Sequence, residues 1–173
     1  MKRFFVLLTI ILIIFPSTSS ANTKLYRNTQ WQFRIELPYD WKYTKPKGPN
    51  VVMNAINKDI EGMNIVVKQM PYIAEADEDT LIALNEIQEY PSNVQLLNWK
   101  IMDISPHKAL ATTMLIHYKY PTAEFYSYSL MFQIITNGKI YTISYFCPPD
   151  RAKIFLPTIL KSVGTFVDET NWY

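Results

Sequence analysis

One cysteine, four glycines and two histidines in 173 residues leave little room for several kinds of chemistry. A lone Cys147 cannot close an internal disulfide, so stability has to come from an apolar core. Four glycines supply little backbone for a phosphate cradle, and neither a P-loop, a Gly-x-Gly-x-x-Gly turn nor a Gly-x-Ser-x-Gly elbow occurs. His107 and His117 have no second ligand at metal spacing, so no metal site is expected, and no cofactor is implied. The acidic stretch Glu75, Asp77, Glu78, Asp79 lacks the glycine and the closing bidentate acid of a calcium loop and suits the start of a helix instead.

An excess of either charge is also missing. Lys2 and Arg3 precede an apolar run over residues 4–15, then Pro16 and small residues at Ser19 and Ala21. This is the pattern of a secretory signal cut after Ala21, and the run is shorter than the roughly 20 residues a membrane span needs. Without Lys2 and Arg3, the 17 basic residues fall to 15, equal to the 15 acidic ones. A neutral mature chain argues against nucleic acid as a partner, and the membrane is met only through the signal segment before cleavage. No cysteine follows the apolar run, so no lipid anchor is expected there. The expectation is a periplasmic or secreted protein with residues 1–21 as signal peptide and residues 22–173 as one domain.

Aromatic and β-branched residues are plentiful, and their spacing is informative. Asn137-Gly138 sits between two alternating runs and predicts a two-residue hairpin turn, because both residues tolerate the positive φ that a type I′ turn requires. The turn fixes a register in which Ile134 faces Tyr141, Phe132 faces Ile143, Leu130 faces Tyr145 and Tyr128 faces Cys147. That side is apolar or aromatic. The other side, with Gln133 and Thr142, Met131 and Ser144, and Ser129 and Phe146, is mixed. Tyr126, Tyr128, Tyr141 and Tyr145 are assigned to the core side.

Earlier in the chain, strict alternation predicts a half-buried strand over residues 31–37, after a lead-in with an edge strand near Leu25-Tyr26. A short segment at Trp41-Lys42-Tyr43 and two meander strands over residues 51–56 and 63–70 follow. A helix is predicted over residues 75–90, with Leu81, Leu84, Ile87 and Tyr90 at helical spacing and Asp77 or Asp79 as its cap. Strands over residues 94–104 and 110–120 flank a turn that contains Pro106 and a solvated His107. His117 points away from Met114, Ile116 and Tyr118. After Cys147 the period becomes helical through Ala152, Phe155, Leu156, Ile159 and Val163, with a kink or restart at Pro157, a cap at Gly164 and a terminal strand or tail. The order implies an α+β fold, an α/β/α sandwich with a mostly antiparallel sheet and two main helices.

Three segments together resemble the PsbP-like superfamily. They are Phe33-Arg34-Ile35-Glu36-Leu37-Pro38 followed by Trp41, then Gly138-Lys139-Ile140-Tyr141-Thr142-Ile143, and the run from Phe155 to Ser162 before Phe166. The resemblance implies an α/β/α sandwich around an antiparallel sheet and a non-enzymatic binding or assembly module, and it carries over no partner-contacting residue. No catalytic residue is expected, since Cys147 is placed on the core side, where a thiol behaves as a small hydrophobe. Trp41, Trp99 and Trp172 are the binding candidates, and any two of them exposed together would form the contact patch. Three functions remain open: a module for an envelope or secreted protein partner, a small apolar-ligand or lipid carrier, and a thiol-dependent enzyme that uses Cys147 with a histidine.

Overall fold

The computed structural model describes residues 22–170. The predicted signal segment, residues 1–21, and Trp172 lie outside the described residues. Among the described residues, two sheets and two α-helices make up the fold. The strands β1 (Thr23–Asn28), β2 (Phe33–Pro38) and the short β10 (Val167–Asp168) form a small sheet in the order β1-β2-β10. The large sheet has seven strands: β3 (Lys42–Thr44), β4 (Val51–Ile56), β5 (Gly62–Gln69), β6 (Val94–Ile104), β7 (His107–Tyr120), β8 (Ala123–Thr136) and β9 (Lys139–Cys147). Their order is β3-β4-β5-β9-β8-β7-β6, every pair antiparallel. The chain makes the meander β3 to β5, crosses through α1 (Glu78–Glu86) to the far edge, and returns through β6, β7, β8 and β9 to close against β5.

The Asn137-Gly138 hairpin has the register its turn dictates, with Ile134, Phe132, Leu130 and Tyr128 opposite Tyr141, Ile143, Tyr145 and Cys147. Both turn residues have positive φ, 49° and 69°. Those pairs face the main core. There Phe33, Ile35 and Leu37 of β2, Phe166, and Phe155, Ile159 and Val163 of α2 (Ala152–Val163) close over them. The opposite face of the same ribbon packs Ile135 with Leu110, Leu81 and Ala76 beneath α1. The helices therefore lie on opposite faces of the large sheet, because successive side chains of each strand point to opposite faces and both faces carry apolar residues over part of their length.

Several local expectations change. α1 is capped by Asp77, whose carboxylate accepts from the Thr80 amide at 2.8 Å, but it stops at Glu86 and leaves Ile87 exposed. The second helix does not restart at Pro157 but runs unbroken through it, and Pro157 and Lys153 lie on its exposed side, where water can take the carbonyl that lost its amide partner. A 3-10 turn, Pro149–Arg151, leads into it. His107 is no loop residue: the turn shrinks to Ser105-Pro106, His107 starts β7, and its ring lies edge-on to Phe166 with Nδ1 2.9 Å from Glu75 Oε1.

Candidate functional site

The large sheet is not rectangular, and its uneven strand lengths create the site. β7 and β8 are both 14 residues long. On one side β9 ends at Cys147, opposite Tyr128, and on the other β6 begins at Val94, opposite Ile116. Beyond those points, among the described residues, β7 and β8 pair as strands only with each other, down to the turn at Pro121-Thr122, and Asn93 ahead of β6 bonds the backbone of His117. A two-stranded arm has no neighbours to bury its side chains. Its rings therefore stand in solvent, with Phe125 at 48% and Tyr126 at 49% exposed.

The arm's two faces carry different groups. Tyr118, Tyr120 and Phe125 share the α1 side and stack, with centroids 5.1 Å apart for Tyr118 and Phe125 and 6.1 Å for Tyr120 and Phe125. On the other side the His117 and Tyr126 rings stack at 4.6 Å, and His117 Nε2 lies 2.7 Å from Glu124 Oε1. His117 thus turns away from Ile116 and Tyr118, as its alternation predicts.

Toward the body of the sheet the arm's α1 side opens into a groove of about 670 Å³. Met114, Ile116, Tyr118, Phe125 and Phe146 give it apolar walls, Ile60 stands at its rim, and the hydroxyls of Ser127, Ser129 and Ser144 belong to its lining. Among the described residues, none that lines it is charged. The groove exists because α1, only nine residues long, covers the sheet around Leu110 and Ile135 and goes no further. What fits there is an uncharged apolar or aromatic group, with serine hydroxyls available to a polar atom on it.

Of the tryptophan candidates, Trp41 and Trp99 form no shared exposed patch, and Trp172 lies outside the described residues. Trp41 is 2% exposed, stacked on Phe155 at 5.5 Å and edge-on to Tyr145 at 6.2 Å, so it is a core residue and no contact residue. Trp99 is 39% exposed, on the edge strand β6. Tyr126, assigned above to the core, is instead part of the exposed arm. The hairpin register already held the sign of this, since its pairing partner runs out at Cys147 and Pro148-Pro149 follows.

Cys147 is buried, and burial, reinforced by the nearby carboxylates of Glu61 and Asp150, pushes its thiol up to about 11. β8 lies between it and His117 on β7, a separation of roughly 10 Å or more across two strand spacings. His107 sits at the far end of β7. A second polar group lies beside the end of β5: Arg151 contacts Glu61 at 2.9 Å and Asp59 at 3.8 Å, and Asn57 donates to Glu61 at 2.8 Å. Arg151, set between the two carboxylates, ties the lead-in of α2 to the β4–β5 turn. Among the described residues no group of three or more acidic, histidine or cysteine side chains is arranged to hold a metal.

This layered sheet, with helices on both faces and a small sheet beside the second, is the fold of the PsbP-like superfamily. Among solved structures it is similar to cyanobacterial PsbP (CyanoP) from Synechocystis, with a TM-score of 0.61 and 15% identity over 91% of this chain and 98% of that one. It is also similar to the Ran-binding protein Mog1p of Saccharomyces cerevisiae, with a TM-score of 0.58 and 11% identity over 86% of this chain and 96% of that one. A Bacteroides thetaiotaomicron protein matches with a TM-score of 0.59 and 13% identity over 87% of this chain, which spans 50% of that longer one. No protein-family model and no curated protein sequence matches the chain. At these identities the likeness is one of fold.

Proposed function

We propose that this protein is an exported, non-enzymatic binding module whose β7–β8 arm and adjoining groove receive an apolar or aromatic segment of an envelope or secreted protein partner. The arm carries this reading. Four aromatic rings held partly in water on a two-stranded extension, next to an uncharged groove, are costly to leave uncovered and suit a contact surface. The signal-like N-terminal pattern supports export to the periplasm or beyond. A thiol enzyme is disfavoured by a buried, poorly acidic Cys147 and by two histidines engaged with Glu75 and Glu124.

The groove's volume and uncharged lining favour one second reading, a carrier of a small apolar ligand or lipid. The two are separated by testing the arm and the groove side by side. Affinity capture from the native envelope fraction is compared between wild type and a Phe125→Ala/Tyr126→Ala variant with an unchanged melt. A partner retained by wild type and lost by the variant is the expected result, while identical captured sets would refute the module. Saturable binding of a fluorescent fatty acid by the purified protein, abolished by Ser129→Trp in the groove, would favour the carrier. Recovery of an envelope species whose sequence begins at Asn22 checks export.

A further inference from the structure

The two edges of the large sheet are treated very differently. β3 is three residues long and runs into Lys45-Pro46-Lys47-Gly48-Pro49, the lysine and proline protection that keeps a strand edge from pairing. β6 at the other edge has eleven residues, no proline or glycine, a single bulge at Leu97, and only Lys100 and Asp103 as charges. Leu96, Leu97 and Trp99 are exposed along it.

The groups that β6 presents follow from its hairpin. Ile104 faces His107 across a two-residue turn, which makes that pair hydrogen-bonded, and such pairs recur at every second residue: Met102 with Ala109, Lys100 with Ala111, Asn98 with Thr113. The amide and carbonyl groups of Asp103, Ile101 and Trp99 therefore point outward, unused by β7. We propose that two copies of this chain associate by antiparallel pairing of their β6 strands about a two-fold axis at Ile101, joining the two large sheets into one.

The register is chosen by elimination. A sheet continued across a two-fold axis pairs residues of the same face, so the axis must pass through a residue position. At Lys100 it sets lysine against lysine, at Asp103 aspartate against aspartate, and at Trp99 it carries the pairing into the bulge at Leu97. At Met102 the matched stretch shrinks to residues 100–104. With the axis at Ile101, residues 98–104 all lie in the regular stretch. Ile101 then meets Ile101 of the other copy, Lys100 meets Met102, Asn98 meets Ile104, and Trp99 meets Asp103 twice. The last pair is complementary, since the indole N–H only donates and the Asp103 carboxylate, 84% exposed and touched by Lys108 at 3.3 Å, accepts.

Sedimentation velocity of the purified protein from low micromolar to several hundred micromolar should show a concentration-dependent dimer. Trp99→Asp places two carboxylates across each of the two pairs and should weaken association at least tenfold. Adding Asp103→Lys to it should restore the dimer, with a circular dichroism melt to verify each variant's fold. Because hydrogen-bonded antiparallel partners have Cα atoms about 5.5 Å apart, within disulfide range, Ile101→Cys should crosslink spontaneously into a dimer on non-reducing gels. That crosslink decides the question if Trp99→Asp does not fold. A protein that stays monomeric throughout, a dimer indifferent to Trp99→Asp, or an Ile101→Cys variant that does not crosslink would each overturn the proposal.

Discussion

Replacing Gly62 with alanine tests how the groove wall is built. Gly62 starts β5, pairs with Ile56 on one side and Phe146 on the other, and is buried under the Phe146 ring. A Cβ at this position would stand 2.4 Å from Phe146 Cζ, 2.6 Å from Cε2 and 2.9 Å from the Ala55 carbonyl oxygen. Carbon atoms pack at about 3.5–4.0 Å, so the ring must move by more than 1 Å or so, and the room for it is the groove it lines. The carbonyl belongs to the neighbouring strand and cannot swing aside as a side chain can. Overpacking of this kind costs about 1–3 kcal/mol. For a domain of this size that is a fall in Tm of roughly 3 to 10 °C, read by differential scanning calorimetry. In a Phe146→Ala background the same substitution should cost less, because its main clash is gone, and the double-mutant cycle should show coupling of about 0.5–3 kcal/mol. Partner or fatty-acid binding should weaken with Gly62→Ala as the displaced ring fills the groove. A Gly62→Ala protein melting within about 1 °C of wild type, or a cycle with no coupling, would refute the placement of Phe146 over the glycine.

Two further perturbations address the core. Phe132 is fully buried between Ile143 and Ala111 with Tyr145 edge-on at 6.2 Å, so Phe132→Ala should cost about 3–5 kcal/mol in urea unfolding, and an unchanged midpoint would contradict the register. The Cys147 thiol, raised from 9.0 to about 11 in the folded chain, should label slowly at pH 8 without denaturant. The unfolded chain loses this proton first as pH rises, so the thiol's contribution to stability is complete below pH 9 and is lost as pH climbs toward 11. A Cys147→Ala variant should show a shallower alkaline decline in Tm, and parallel declines would contradict it.

Much of this protein was legible in one dimension. Asn137-Gly138 fixed the central register, because a turn with positive φ at both positions admits few residues and period-two alternation then pins every pair. Strict alternation from Phe33 to Leu37 marked β2, and the isolated thiol followed from its place opposite Tyr128. These are local facts, carried by dihedral preference and by the period of the strand. What escaped local patterning was everything decided by neighbours. Trp41 and Trp99 look alike in sequence, yet α2 seals the first while the second sits on an open edge.

Tyr126 and Tyr128 share a side of β8, and only the end of β9 separates an exposed ring from a partly buried one. Pro157 reads as a helix breaker until the fold turns its side of α2 to water. By itself, then, the sequence determined which residues could form strands, where the central ribbon turned and which side chains shared a face. Only the tertiary structure decided which faces were covered, because burial depends on the lengths of strands and helices that meet from distant parts of the chain. The arm, the groove and the open β6 edge are all places where one element outruns another.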